Sequence, residues 1–299
     1  MLRHRQSFNR ITFNWITFAP LAFLMLWANG FIFLKMGLEY TDPFTFLALR
    51  YIIVVAILAI LVLWLRPSFP TKLNEWIPLI GVGLFLQTGY FAFTYLSLHA
   101  GLSASTVALI TCQQPILIGL LSPFFTSDKM TYGRWLGLIF GVIGACIVIT
   151  SNSHQSALSL SGVLFGVFAL LSITCSTLIE KRYSASTNLV AANFVQYSVA
   201  LIVIAPLAYA LEPMKVEWTG ELFLALTYLV FGASLFAISL LLAMIRRNEA
   251  SRVSALFFLV PPTTALIAFF FLGESLSLQS LVGITLTALG IYIVMRRGS

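Results

Sequence analysis

Charge is the scarcest feature of this sequence. Asp, Glu, Lys and Arg make up only 9% of 299 residues, whereas a soluble domain carries roughly 25% to clothe its surface. With 60% hydrophobic residues and a mean hydropathy of +0.97, the chain cannot build a water-facing exterior, which excludes a soluble enzyme and a disordered chain. Cysteine is also scarce. Cys112, Cys146 and Cys175 fall inside apolar runs without ligand spacing, so they read as packing residues and not as disulfides or metal ligands. There is no phosphate loop, no H-E-x-x-H helix and no nucleophile elbow. An ATP-driven pump and an intramembrane enzyme are excluded on that ground, and neither a metal nor a cofactor is expected.

What the chain does have is long apolar runs. A bilayer-spanning helix needs roughly 20 apolar residues, and ten such runs follow one another: Trp15 to Leu34, Phe44 to Leu65, Trp76 to Leu98, Leu102 to Phe125, Tyr132 to Ile149, Leu158 to Ile179, Leu189 to Leu211, Leu222 to Ile245, Val253 to Leu272 and Leu276 to Met295. Arg3, Arg5 and Arg10 before the first run resemble a signal peptide's basic end, but the run is too long for a signal core and is kept as a helix. Of the 17 basic residues, 14 fall in the loops on one side of these runs, Lys35 and Lys215 fall on the other, and Arg50 lies within a run. Basic residues collect on the cytoplasmic side, so both termini are expected there. Such scattered charge does not form a nucleic-acid surface, despite a net +7.

Comparing the chain with itself reveals a repeat. Pro115 and Pro261 are 146 residues apart, and the same offset joins Gly137 to Gly283, Gly144 to Gly290, Asp128 to Glu274 and Lys35 to Lys181. The expected fold is therefore an all-α membrane protein of two five-helix repeats. It has a tail at 1–14, a first repeat at 15–150, an outer loop at 151–160 and a second repeat at 161–299. Five is odd, so the second repeat enters the membrane from the opposite side. Inverted repeats hold their site at the interface near the midplane, where rocking exposes it to each side in turn.

Several short motifs carry a family resemblance. They are Trp27-Ala28-Asn29-Gly30-Phe31 with Lys35, Pro43 before Arg50, the Pro115 segment, and Phe271-Leu272-Gly273-Glu274 before a Gly-spaced last helix. Together they resemble the EamA branch of the drug/metabolite transporter superfamily. One departure is Ser127-Asp128, which keeps the carboxylate of the Gly-Glu motif and loses its glycine. The resemblance implies a carrier of small organic metabolites, amino acids or related compounds, often outward, in a bacterial inner membrane. It also implies a scaffold role for an Arg at the position of Arg50.

Polar groups within hydrocarbon must face a partner or a wet cavity. The candidate substrate-binding residues are accordingly Trp27, Asn29, Gln87, Tyr90, Gln113, Gln114 and Ser234, with Phe257 and Phe258, whose carbonyls Pro261 and Pro262 would free. Pro115, Pro261 and Pro262 are candidate hinges. Arg50, the lone cation inside a run, either serves the scaffold, pairing with Glu39, Asp42 or free carbonyls, or faces the cavity and attracts a carboxylate or phosphate. Asn193, Gln196 and Tyr197 occupy the matching region of the second half. Gly133, Gly137 and Gly141 form a small-residue ladder that fits either close packing within the chain or a dimer seam, so monomer and homodimer both remain. Carboxylates avoid the centres of the runs, with Glu39, Glu180, Glu212 and Glu274 near the ends. That favours an uncoupled carrier or exchanger over a proton pump. The alternative class is a non-transporting membrane scaffold or receptor-like protein. Membrane lipid and a small-molecule substrate are the expected partners.

Overall fold

The computed structural model describes residues 15–125, 132–151, 159–183, 187–246, 260–273 and 277–296. Phe257 and Phe258 lie outside them. Among the described residues the chain is helical throughout, with no strand beyond an isolated bridge between Thr41 and Val216. The first half comprises α1 (Trp15–Gly37), α2 (Pro43–Leu65), α3 (Leu73–Val82), the π-helical π1 (Gly83–Tyr90), α4 (Phe91–His99), α5 (Ala104–Thr111), α6 (Gln114–Phe125) and α7 (Tyr132–Ser151). The second comprises α8 (Leu160–Tyr183), α9 (Leu189–Leu211), α10 (Gly220–Thr227), π2 (Tyr228–Ala237), α11 (Ile238–Arg246), α12 (Val260–Leu272) and α13 (Leu278–Arg296).

These segments are helices because a backbone in hydrocarbon must satisfy its own N–H and C=O groups. Their outward faces are apolar too. Leu63, Trp64 and Ile202 are 76%, 78% and 73% exposed, which suits lipid and not water. Seven helices among the described residues are long and apolar enough to cross a membrane. They coincide with the first four and the sixth to eighth of the expected runs. The other three runs are helical in their described parts, as α7, α12 and α13.

The fourth run differs from the expected continuous helix. It breaks at Cys112 and Gln113, between α5 and α6, where Gln113 N–H bonds back only three residues to the Ile110 carbonyl at 3.2 Å. The physical reason is Pro115, which has no N–H to continue the ladder. Pro261 is buried in α12, next to the first described residue of that helix. Pro262 follows it.

The helix boundaries obey the 146-residue offset. Adding it to Pro43–Leu65 gives Leu189–Leu211, the bounds of α9, and adding it to π1 gives a range inside π2. Equivalent positions also meet one another. The rings of Tyr51 and Tyr197 contact edge to face at 5.3 Å. A Cβ on Gly144 would lie 2.5 Å from the Gly283 carbonyl, and one on Gly290 would lie 2.6 Å from the Gly137 carbonyl. These reciprocal pairs make α7 and α13 antiparallel about a local two-fold. Gly137 and Gly141 of the small-residue ladder thus pack within the chain.

Near Pro43 the two halves are tied by charge. The α2 start has no side-chain cap of its own, and the Glu212 carboxylate supplies one, accepting from Phe44 N (2.8 Å), Thr45 N (2.7 Å) and Thr45 Oγ1 (2.8 Å). A carboxylate suits a helix N-terminus, where unpaired N–H groups carry partial positive charge. Thr41 Oγ1 donates to the Lys215 carbonyl and Glu217 N to that of Tyr40, extending the tie. The equivalent of Glu212 is Arg66, a cation that cannot cap. The α9 start uses its own Asn188, which accepts from Val190 N at 2.9 Å. Glu212→Ala is expected to cost about 1–2 kcal/mol, read as a lower melting temperature of the purified protein. An unchanged melting temperature would mean that the tie carries no stability.

Candidate functional site

Five elements deliver side chains to one internal cavity. Trp27, Gly30, Phe31 and Leu34 come from α1 at helical spacing, Arg50 from α2, Tyr90 from π1, Phe91 and Thr94 from α4, and Leu229 and Ala233 from π2. Both halves therefore contribute. The space they leave is about 30 Å³, room for one or two water molecules. A metabolite can enter only if the walls move apart. Trp27 and Tyr90 stack at 5.8 Å with an interplanar angle of 16°, and Phe91 sits edge-on to Tyr90 at 4.9 Å.

The two π segments explain how polar groups gather here. A π turn breaks the regular i→i−4 ladder, and such turns concentrate at functional sites. In each half the equivalent tyrosine serves a carbonyl of its own π segment: the Tyr51 hydroxyl donates to the Gln87 carbonyl, and the Tyr197 hydroxyl to the Ser234 carbonyl at 3.3 Å. Ser234 also reaches Arg50, whose Nε donates to Ser234 Oγ at 2.8 Å. Arg50 Nη1 donates to the Tyr95 hydroxyl at 3.2 Å, and the guanidinium carbon lies 4.3 Å from the centre of the Phe91 ring. Arg50 is fully buried, roughly 10 Å along α2 from Pro43 by helical rise. Tyr51 adds a second ring at 5.9 Å, and the Tyr197 hydroxyl lies close by. The surroundings of Arg50 are thus neutral hydroxyls and rings, and not Glu39, Asp42 or the carbonyls expected from the sequence. Glu212 is occupied at the start of α2 instead.

The other expected site residues fall into distinct places. Trp27 and Tyr90 line the cavity, whereas Ser234 stands behind it as the anchor of Arg50. Asn29 donates to the Met25 carbonyl of its own helix at 2.8 Å and does not line the cavity. Gln87 is completely buried, and neither amide atom of its side chain has a partner. Gln113 donates to the Leu109 carbonyl at 3.2 Å, and Gln114 crosses to α8, donating to Thr177 Oγ1 at 2.6 Å and to the Ile173 carbonyl at 3.3 Å. Both glutamines flank the α5–α6 break, apart from the cavity lining.

Phe31, Leu34, Phe91, Thr94, Leu229 and Ala233 were not singled out from the sequence. For the first-half residues a signal existed: Trp27, Phe31 and Leu34 are spaced four and three apart, as are Tyr90 and Thr94, so projecting one helical face from Trp27 and Tyr90 finds them. Leu229 and Ala233 had none, because nothing local marks which face of π2 meets α2. In the second half, Asn193 donates to Ser239 Oγ at 3.1 Å, and Gln196 is completely buried with both amide atoms unpartnered. Gly83 of π1 presses against the Gln196 backbone there, where an added Cβ would lie 2.9 Å from its carbonyl oxygen.

Comparison with known proteins accounts for this architecture. The EamA-like transporter family matches the chain twice, at residues 13–150 and 160–296. A protein of Salmonella typhimurium named as a probable amino-acid metabolite efflux pump is 27% identical over 287 residues, covering 92% of this chain and 93% of its own length. Its Escherichia coli namesake is 26% identical over 90% of this chain and 91% of its own length. An uncharacterized transporter of Bacillus subtilis is 26% identical over 92% and 90%. A solved crystal structure superimposes with a TM-score of 0.68 at 20% identity, covering 95% of this chain and 98% of its own, a likeness of fold. With both halves matched, the chain belongs to the EamA-like transporter family and is an integral, multi-pass membrane transporter, not an enzyme.

Proposed function

We propose that this transporter moves small organic metabolites, amino acids or related compounds, outward across a bacterial inner membrane by alternating access. The observation that carries the reading is the cavity between the halves, walled by α1, α2 and α4 on one side and π2 on the other. Ten spans in two inverted five-helix repeats, with both termini cytoplasmic, are the topology that goes with it. The antiparallel pairing of α7 with α13 and the distribution of basic residues support that topology. Trp27 and Tyr90 contact the cargo directly. Ser234 holds Arg50, and the breaks at Pro115 and at the π segments supply places where helices bend as the halves rock. Gln87, Gln113, Gln114 and Asn29 support the walls from behind.

The test is twofold. Proteoliposomes preloaded with amino acids should show counterflow of the labelled compound in the presence of this protein. In a variant without its native cysteines, Ala233→Cys should react with a membrane-impermeant maleimide from each side, depending on which side holds cargo. Absence of flux for every amino acid tried, together with no labelling from either side, would leave a membrane scaffold as the reading.

A further inference from the structure

Arg50 is a complete positive charge that meets no carboxylate among the described residues. Its guanidinium is fully buried, its Nε and Nη1 contacts are the neutral hydroxyls of Ser234 and Tyr95, and Phe91 provides a ring face. Among the described residues no carboxylate pairs with it, and Nη2 has no hydrogen-bond partner. A buried ion held only by neutral groups is costly, and an anion beside it removes most of that cost. Arg50 also forms part of the cavity wall. Thr94, one of its neighbours in that wall, is buried, and its hydroxyl lies near that of Tyr90 without a hydrogen bond of good geometry. One cationic side chain and one hydroxyl side chain therefore line the same space, their Nη2 and Oγ1 atoms covered until the walls part.

We propose that the cavity recognises its cargo by a carboxylate, held by Arg50 Nη2 and Thr94 Oγ1. This inference rests on the cavity being the transport site, and it names the chemical group that is selected there. A monoanion fits better than phosphate. Only one arm of one guanidinium is unused, no second cation lines the cavity among the described residues, and a dianion would leave a net negative charge in apolar surroundings. Leu34, Leu229 and Ala233 leave the remainder of the cargo an apolar bed. Among the described residues no acidic side chain lines the cavity, so an ammonium group meets aromatic rings there, Trp27 and Tyr90 among them. It is tolerated there and not required. Arg50 is then a specificity-determining residue whose contacts with Ser234 and Tyr95 fix the direction of its free arm.

The experiment uses the purified full-length protein in lipid nanodiscs. Thermal stabilisation and affinity are measured with the twenty proteinogenic amino acids and with linear, branched and aromatic monocarboxylates, each beside its primary amide. At least one carboxylate should stabilise the protein, and its amide should bind about tenfold more weakly or worse. Arg50→Gln should abolish the distinction between acid and amide, and Arg50→Lys should restore part of it. Thr94→Val leaves every Arg50 contact in place and should weaken the acid about threefold to tenfold without affecting the amide. It decides the matter if Arg50→Gln does not fold. Equal binding of acids and amides, no stabilisation by any carboxylate, or an unchanged preference in Thr94→Val would overturn the proposal. Counterflow of the same compounds separates the two readings. A bound acid that is never transported sinks the transport reading and leaves the anion site, whereas acid and amide carried equally well leave transport and sink the anion site.

Discussion

Replacing both Gly144 and Gly290 with valine is expected to eliminate folded protein. At each position an added Cβ meets backbone: Gly283 O at 2.5 Å and Thr287 N at 2.7 Å from Gly144, and Gly137 O at 2.6 Å and Gly141 N at 2.7 Å from Gly290. Side chains can rotate away from such a contact, but peptide groups move only with their helices. Overpacking a well-packed site costs about 1–3 kcal/mol, and here the two clashes act on one helix pair in the same direction. Within lipid no hydrophobic driving force compensates, because helices associate there through close packing itself. The measure is the monodisperse fraction after detergent extraction. Gly220→Ala is the control, since nothing lies within 4 Å of its added Cβ. A normal monodisperse yield of the double variant would mean that α7 and α13 do not pack through their glycines.

Trp27→Ala should have the largest effect on transport, lowering amino-acid counterflow per inserted protein at least about tenfold by the loss of a positioned wall. Trp27 is the hub of the aromatic lining, with ring contacts to Phe23 (5.2 Å), Tyr90 (5.8 Å) and Phe91 (6.3 Å). Removing it frees the rings that fix the position of Arg50 and leaves a void several times larger than the present cavity. The same truncation of a buried Trp costs about 3–5 kcal/mol of stability, so flux must be normalised to folded, inserted protein. Trp27→Phe keeps a ring face and should retain most of the flux. If Trp27→Ala transports normally once normalised, the cavity beside it is a packing flaw and the path lies elsewhere.

How far the sequence could be read depended on the kind of signal. Helical class, membrane placement and the repeat were legible because they rest on long runs and on a single constant offset, and α2 and α9 obey that offset at both ends. The π segments were not legible. Gly83–Tyr90 and Tyr228–Ala237 sit inside long apolar runs like their neighbours, and nothing in their spacing marks the extra residue in the turn. Gln113 and Gln114 show the opposite failure. Polar residues beside a proline announce an irregular backbone, and the break is there, but their amide N–H groups go to Leu109, Ile173 and Thr177 and not to the cavity.

Arg50 marks the boundary between the two kinds of knowledge. Composition alone settled that a chain with 9% charge lives in lipid, because burying apolar area is a sum over residues and does not depend on who their neighbours are. The same arithmetic flagged one cation inside a run as expensive. Its neighbours were beyond reach, since Ser234 is 184 residues away and Glu212 lies 167 residues beyond Thr45. Only folding decided that the nearby acids would not neutralise Arg50, that the Ser234 and Tyr95 hydroxyls would hold it, and that Nη2 would find no hydrogen-bond partner among the described residues. Pairing energies are local in space, and in this chain the residues that share a place are distant in sequence.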